Sequence, residues 1–429
     1  MNRVRHMSAL GLLFIVMLFE LAAFALLSLR DGKFDVWALA FALALIALLF
    51  FQYVCLLWIS RYADRFLLVI ANLLAAIGMI VQYRLSPETA FRQLLLYGVG
   101  MVAMFVCVGL MHKPAVFRKL NWAMIVASLA LLGVLLIVGK EQGGAKNWIT
   151  IAGFSFQPSE FVKVALVFIA ANYLTEQSGW RDWLPSAIFA ILVCGLLVME
   201  RDLGAALLVA GTYLIIFYTA TGDVRTTLIG LGAGCCGAVA SYYIFDHVRA
   251  RVAIWKNPWA TYETSGYQIA QGLMAIASGG AWGLGLTQGL PKSIPAYNTD
   301  YIFAVICEEF GLIFGIAVIT LYLMFIIRGA LVALYARDRY LMLVAFGCTV
   351  LITLQSFIII GGVIKLIPLT GITMPFVSHG GSSLIASMML LGILEGIAMR
   401  NGDMLEDAMD QAMEQDRLAN LSKGEDHAE

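Results

Sequence analysis

Apolar side chains fill long, nearly unbroken stretches of this chain, and polar positions gather in the gaps between them. Runs long enough to cross roughly 30 Å of hydrocarbon as helices begin near Ser8, Val36, Phe66, Leu94, Asn121, Ser159, Trp183, Leu203, Arg225, Tyr301, Tyr340 and Thr373. The pattern predicts about twelve membrane helices, the third and sixth short enough to be tilted or partial. Membrane-spanning strands do not suit the pattern, because the runs far exceed about ten residues and do not alternate in polarity. One stretch stands apart: some 55 residues, from Asp246 to Asp300, carry Arg, Trp, Tyr, Gly and Pro in place of Leu. Short loops connect spans at lower entropic cost, so this segment is expected to fold over something.

Composition agrees with the pattern: 61% of residues are hydrophobic, 13% are charged, and mean hydropathy is +0.86. The fold class is therefore all-α and polytopic in a membrane. Lys+Arg and Asp+Glu both number 28, so net charge suggests no nucleic acid as partner. Charge placement is more informative. With the N-terminus inside, fifteen Lys/Arg fall in cytoplasmic segments and twelve outside, four of these in the long loop, while Lys163 lies within a span. Setting the loop aside, the basic bias points inward, which makes both termini cytoplasmic and turns the loop outward.

The remaining sequence features describe organisation. Cys55, Cys107, Cys194, Cys235, Cys236, Cys307 and Cys348 all lie in apolar runs without a CxxC and read as buried small hydrophobes. Arg3 and Arg5 precede the run Leu10 to Leu29, which lacks a small-residue cleavage site and reads as a retained signal anchor. Gly230, Gly232, Gly234 and Gly237, and the pair Gly311/Gly315, form small-residue faces suited to close helix packing. After Arg400 the chain turns acidic, and Met404, Leu405, Ala408, Met409, Ala412 and Met413 fall at helical spacing, as in a short amphipathic helix or a solvated end. The expected divisions are N-terminal helices over 1–139, a core over 140–400 containing the loop 246–300, and an acidic cytoplasmic tail over 401–429.

Five constellations could carry chemistry. Between Asn147 and Lys163, Pro158 suits a first helical turn, which places Glu160 and Lys163 on one face. A lone lysine at membrane depth costs roughly 2.5–3.5 kcal/mol, so the pair either fixes packing or turns Lys163 toward an anionic headgroup. Glu200-Arg201-Asp202 interrupts two apolar runs as a polar pocket or a salt-bridged turn. Arg249 and Arg251 alternate near the membrane surface, where phosphates of lipid or substrate would lie. Asp300 is placed to cap a helix, yet Glu308 and Glu309 follow within two turns, and three carboxylates there are costly unless they face an aqueous or polar cavity. Finally, Pro368 to Gly371 and Met374 to Ser383 read as a broken helix lining a cavity, since prolines and paired glycines release backbone groups. His379 is isolated from other histidines and from cysteine and does not read as a metal ligand.

Taken in order, these blocks resemble the SEDS family of bacterial membrane proteins, which includes FtsW, RodA and SpoVE, with motifs nearest its FtsW-like members. The matching residues are Asn147-Trp148-Ile149, Phe156 to Glu160 with Lys163, Asp202-Leu203-Gly204, Arg251-Val252, Asn257-Pro258-Trp259, Gly266-Tyr267-Gln268, Ser278-Gly279-Gly280, Thr299 to Val305 with Glu308-Glu309, and Pro368 through Ser383. The resemblance implies a ten-helix core preceded here by two extra helices. It implies a peptidoglycan glycosyltransferase in the bacterial cytoplasmic membrane, polymerising lipid II at the outer face for cell division or cell-shape growth. Undecaprenyl-diphosphate-linked glycan would be the donor, and a class B penicillin-binding protein would supply the transpeptidase. The family's essential aspartate falls on Asp300, as the catalytic general base. Trp148, Glu160, Lys163, Asp202, Arg249, Arg251, Gln268, Glu308, Ser378 and Ser382 are the substrate-binding candidates, and Trp255, Trp259, Tyr262 and Tyr267 could stack on sugars or anchor at the interface. The resemblance fixes no cofactor; a divalent cation (Mg or Mn) bridged by diphosphate oxygens is the one considered. The chain departs from the pattern at Glu200-Arg201, Ile359 and His379. Two other readings stay open: a flippase for lipid-linked precursors, with Glu160, Lys163 and Glu308 lining its path, and a non-catalytic scaffold for a transpeptidase.

Overall fold

The computed structural model describes residues 2–32, 34–142, 145–151, 154–176 and 179–425; the last four residues of the expected tail lie outside these. Among the described residues, eleven helices are long and apolar enough to cross a membrane. The first half holds α1 (Asn2–Ser28), α2 (Val36–Ile59), α3 (Arg65–Leu85), α4 (Pro87–Met111), the short α5 (Ala115–Lys119) and α6 (Asn121–Val138). A small antiparallel meander follows, β1 (Lys140–Gln142), β2 (Ala145–Ile151) and β3 (Phe154–Phe156), with Lys140 opposite Trp148 and Ile149 opposite Phe156. Next come α7 (Ser159–Thr175), α8 (Trp180–Met199), α9 (Leu203–Thr221) and α10 (Val224–Ile244). The long loop contains α11 (Asp246–Lys256) and α12 (Tyr267–Gly279). The chain then re-enters the bundle as α13 (Ile302–Phe310), α14 (Leu312–Leu334), α15 (Arg339–Val363) and α16 (Gly381–Glu425).

Twelve positions in the bundle are filled, as the hydropathy pattern predicts, the sixth being short as expected and two others differing. The sixth, α7, has 17 residues, so at 1.5 Å per residue it falls a few ångströms short of the hydrocarbon. The third is not short: α3 runs for 21 residues and is 89% buried over its apolar window. Gln82 and Arg84 lie within its last turns and made the apolar run look shorter than the helix. The tenth run is broken at Gly311, whose φ of 88° no helix accepts, so Glu308 and Glu309 sit on a nine-residue half-helix rather than inside a full span.

Helices that alternate in direction put the long loop, the meander, the α3–α4 turn and the α15–α16 connection at one end of the bundle. Side chains confirm the sharing: Arg84 at the end of α3 donates to the carbonyl of Thr287 at 3.2 Å, and Arg251 of α11 to that of Thr370 at 3.3 Å. Helix α10 is the outlier, with no buried residue. Cys235 and Cys236 are therefore exposed rather than buried. Of its glycines, Gly230 packs closely on Leu214, whereas Gly232, Gly234 and Gly237 have no neighbour where a side chain would extend. An all-apolar helix reads the same whether it faces protein or lipid.

Candidate functional site

The segment 364–380, between α15 and α16, is not helical, and Lys365, Gly371 and Phe376 all take positive φ. At membrane depth its carbonyls need partners, and side chains from five elements provide them. Trp255 donates Nε1–H to Lys365 O at 3.1 Å, Arg251 to Thr370 O, Gln355 to Thr373 O at 2.9 Å and Tyr322 to Pro375 O at 2.5 Å. Gln82 and Gln93 donate to Val377 O at 2.9 Å and Ser378 O at 3.3 Å. The strap is thus tied to α3, α4, α11, α14 and α15. Helix α3 comes so close that a Cβ at Gly78 would lie 2.4 Å from Val377 O.

Asp300 sits against this strap. The Ser378 hydroxyl donates to Thr299 O at 2.7 Å and accepts from Met374 N at 2.9 Å, while His379 N donates to Asn298 O at 2.9 Å. These bonds fix the turn that precedes α13. The Gly371 backbone borders the carboxylate, since a Cβ there would be 3.7 Å from Asp300 Oδ2. Asp300 is half-buried, and burial pushes its carboxyl up to about 6, against the Thr299 hydrogen bond and the charge of Arg251, which pull it down. Asp300 is not the N-cap of α13, a position held by Tyr301. The capping reading of this aspartate therefore fails.

The other predicted residues divide. Asp202 caps α9 through Ala205 N at 3.0 Å and accepts from Asn147 at 2.6 Å and Gln157 at 3.2 Å. Gln157 N in turn donates to Ser382 Oγ at 3.0 Å. This chain of bonds joins β2, α9 and the start of α16 beside the strap, where Gly204 packs on Thr370. Glu160 and Lys163 are buried and paired at 2.8 Å. Glu200 is fully buried, and burial, then Asp202, pushes it up to about 8, which makes it a neutral polar group at pH 7. Arg249 turns back onto Tyr243 O at 3.1 Å and faces Asp246 at 3.5 Å, away from the strap. Trp148 and Gln268 are half-buried, on β2 and in the first turn of α12. In the loop Trp259 stacks on Tyr262, which meets Tyr267 at a tilt.

The carboxylates of α13 correct the expectation of a cavity-facing trio. Glu309 pairs with Arg84 at 3.0 Å, both nearly inaccessible, and Arg84 also donates to Thr287 O and Gly289 O. Glu308 accepts from Leu290 N at 3.1 Å. Both glutamates thus hold residues 287–290 of the loop. Arg84, Gln82, Gln93 and Gln355 were missed from the sequence; their signal was a polar side chain inside an apolar run, without the partner's position.

A family model described as cell cycle protein, FtsW/RodA/SpoVE, matches residues 64–402. The chain is 34% identical over 424 residues to the peptidoglycan glycosyltransferase RodA of Mycobacterium tuberculosis, covering 92% of this chain and 90% of that protein. It is 34% identical over 361 residues to stage V sporulation protein E of Bacillus subtilis, covering 78% of this chain and 96% of that protein. Among solved structures, a chain reported under "Structural coordination of polymerization and crosslinking by a peptidoglycan synthase complex" superposes with a TM-score of 0.69 at 26% identity, covering 79% of this chain and 98% of that one. The rod shape determining protein RodA of Thermus thermophilus shares the fold, with a TM-score of 0.60 at 24% identity, covering 78% and 96%.

Proposed function

The chain belongs to the FtsW/RodA/SpoVE family of cell cycle proteins, and we propose that it acts there as a peptidoglycan glycosyltransferase, joining lipid II into glycan strands with Asp300 as general base. The single observation that carries the base assignment is the position of Asp300: a half-buried carboxylate against the strap that Arg251 holds. In the step, a sugar hydroxyl of the acceptor lipid II loses its proton to Asp300 as its oxygen attacks the anomeric carbon of the donor. A C–O bond forms with inversion, and the bond to diphosphate breaks. An ordinary aspartate near 3.9 is a weak base at neutral pH. A carboxyl raised to about 6 is still ionised at pH 7 and accepts a proton more readily.

Charge on the leaving diphosphate needs a cation. Arg251 is the residue favoured, because it reaches the strap at Thr370 O and its charge acts on Asp300. Lys163 is compensated by Glu160, and Arg249 points elsewhere. Ser378, Ser382 and Asp202 shape the site through the strap and the start of α16; Trp148 and Gln268 remain proposed sugar contacts. Among the described residues, no group of three His, Cys, Asp or Glu is arranged to hold a metal, so a bound Mg or Mn would take most ligands from diphosphate and would supply charge neutralisation there. The matched synthase complex supports a transpeptidase of the penicillin-binding class as partner. The basic bias supports an outward-facing loop in the cytoplasmic membrane.

Purified protein with its transpeptidase, given labelled lipid II, tests the reading: wild type makes polymer and Asp300→Ala does not. Polymer from both would remove the base. Polymer from neither, with lipid II crossing sealed vesicles, would favour the flippase.

A further inference from the structure

At the end of the bundle opposite the long loop lies a cavity of about 450 Å³, lined by His112, Lys113, Arg118, Lys119, Asp338 and Arg400 among others. That volume is within the range of roughly 300–1,000 Å³ usual for small-ligand sites. Four permanent cations converge on it. Its carboxylate, Asp338, is committed as the cap of α15, accepting from Tyr340 N at 2.9 Å.

The basic bias of this end explains why such residues are present, but not why they converge. Elsewhere at the same end cations are engaged by protein: Arg328 with Asp64, Arg61 with Glu406, and Arg339 with Ala220 O. Around the cavity the engagement is partial. Among the described residues Lys113 and Lys119 form no ion pair. Arg118 lies over the Tyr340 ring at 5.1 Å and reaches only the exposed Glu176, at 3.8 Å. Arg400 donates to His112 O at 2.9 Å, while its Nε is buried without a partner. Beside this basic mouth, Val116, Leu120 and Trp122 are exposed by 37%, 49% and 71%. A cationic pocket next to an apolar flank is the arrangement that takes a phosphate headgroup with its acyl chains alongside.

We infer that this cavity binds the phosphate of an anionic phospholipid in the leaflet opposite the catalytic end. The site stands apart from Asp300, and its test does not depend on polymerisation. Full-length protein, delipidated in neutral detergent, is titrated with short-chain phosphatidylglycerol, phosphatidylcholine and inorganic phosphate, and bound lipid is counted by native mass spectrometry. Phosphatidylglycerol should bind at one saturable site that weakens as salt is raised. Each cation near the surface is worth about 1 kcal/mol, or roughly fivefold. Lys113→Gln/Lys119→Gln should therefore weaken binding about 25-fold, whereas Arg225→Gln, which removes an exposed charge at the same end, should not. Equal binding of phosphatidylcholine would overturn the proposal. So would equal loss in Arg225→Gln, unchanged binding in the double variant, or displacement of the lipid by inorganic phosphate at matched concentration, which would assign the site to free phosphate.

Discussion

At the loop end, long polar side chains reach across the bundle to hold irregular backbone: Gln82, Gln93, Gln355, Arg251, Trp255 and Tyr322 each donate to a carbonyl between Lys365 and Ser378. At the opposite end, where the helices run out regularly, charged groups mostly hold one another or close helix ends, as Arg328 does with Asp64 and Arg400 with His112 O. The difference lies in what each end has to stabilise. A strap without its own hydrogen-bond ladder must be fully satisfied by neighbours, and that requirement gives it one fixed shape against Asp300. Regular helices make no such demand, so charge there is left free to set orientation and to meet anionic groups outside the protein.

The largest expected effect tests what the strap is for. Asp300→Asn keeps the shape and removes the base, and should lower the polymerisation rate about 10²–10⁴-fold in a lipid II assay while the melting temperature stays put. A melting temperature that fell with the activity would make Asp300 structural. Next comes the contrast between ion pairs. Arg84→Ala leaves Glu309 buried without its cation and should cost about 3–5 kcal/mol. Arg61→Ala, at an exposed pair, should cost about 0–1 kcal/mol. Denaturant titration in detergent reads both, and equal losses would erase the distinction between the ends. Arg84→Met/Glu309→Leu should recover most of the stability.

Two smaller effects sharpen the picture of the strap. Gly78→Ala pushes a methyl against Val377 O and should cost about 1–3 kcal/mol. Gln82→Leu leaves that same carbonyl without its donor, at about 1–3 kcal/mol. Since both act on Val377, the double variant should lose less than the two losses added together; full additivity would mean the contacts are independent.

Hydropathy made twelve crossings legible because burial in lipid and burial in protein select the same side chains. For that reason it could not tell the enclosed α3 from α10, which buries no residue, nor find Cys235 and Cys236 on an open surface. The meander over 140–156 gave no signal, its strands being too short for periodicity to show. Within the site, residue type and spacing point to Asp300, Arg251, Asp202, Ser378 and Ser382, and the structure gathers them around the strap. Local spacing read Glu160 with Lys163 correctly as a pair because its members are three residues apart. It misread Glu308 and Glu309, whose partners are Leu290 and Arg84, the latter 225 positions away. Long-range polar pairs leave no periodic trace in one sequence.

The pH–rate profile of lipid II polymerisation, at saturating substrate, tests the central claim most directly. Asp300 must be ionised to accept a proton, and its carboxyl stands at about 6, so the rate should be near its plateau at pH 7 and fall about tenfold per unit below pH 6. Because the Arg251 charge pulls that value down, Arg251→Met should move the acid limb to higher pH. A rate that stays flat from pH 5 to pH 8, or a limb that ignores Arg251, would contradict the account.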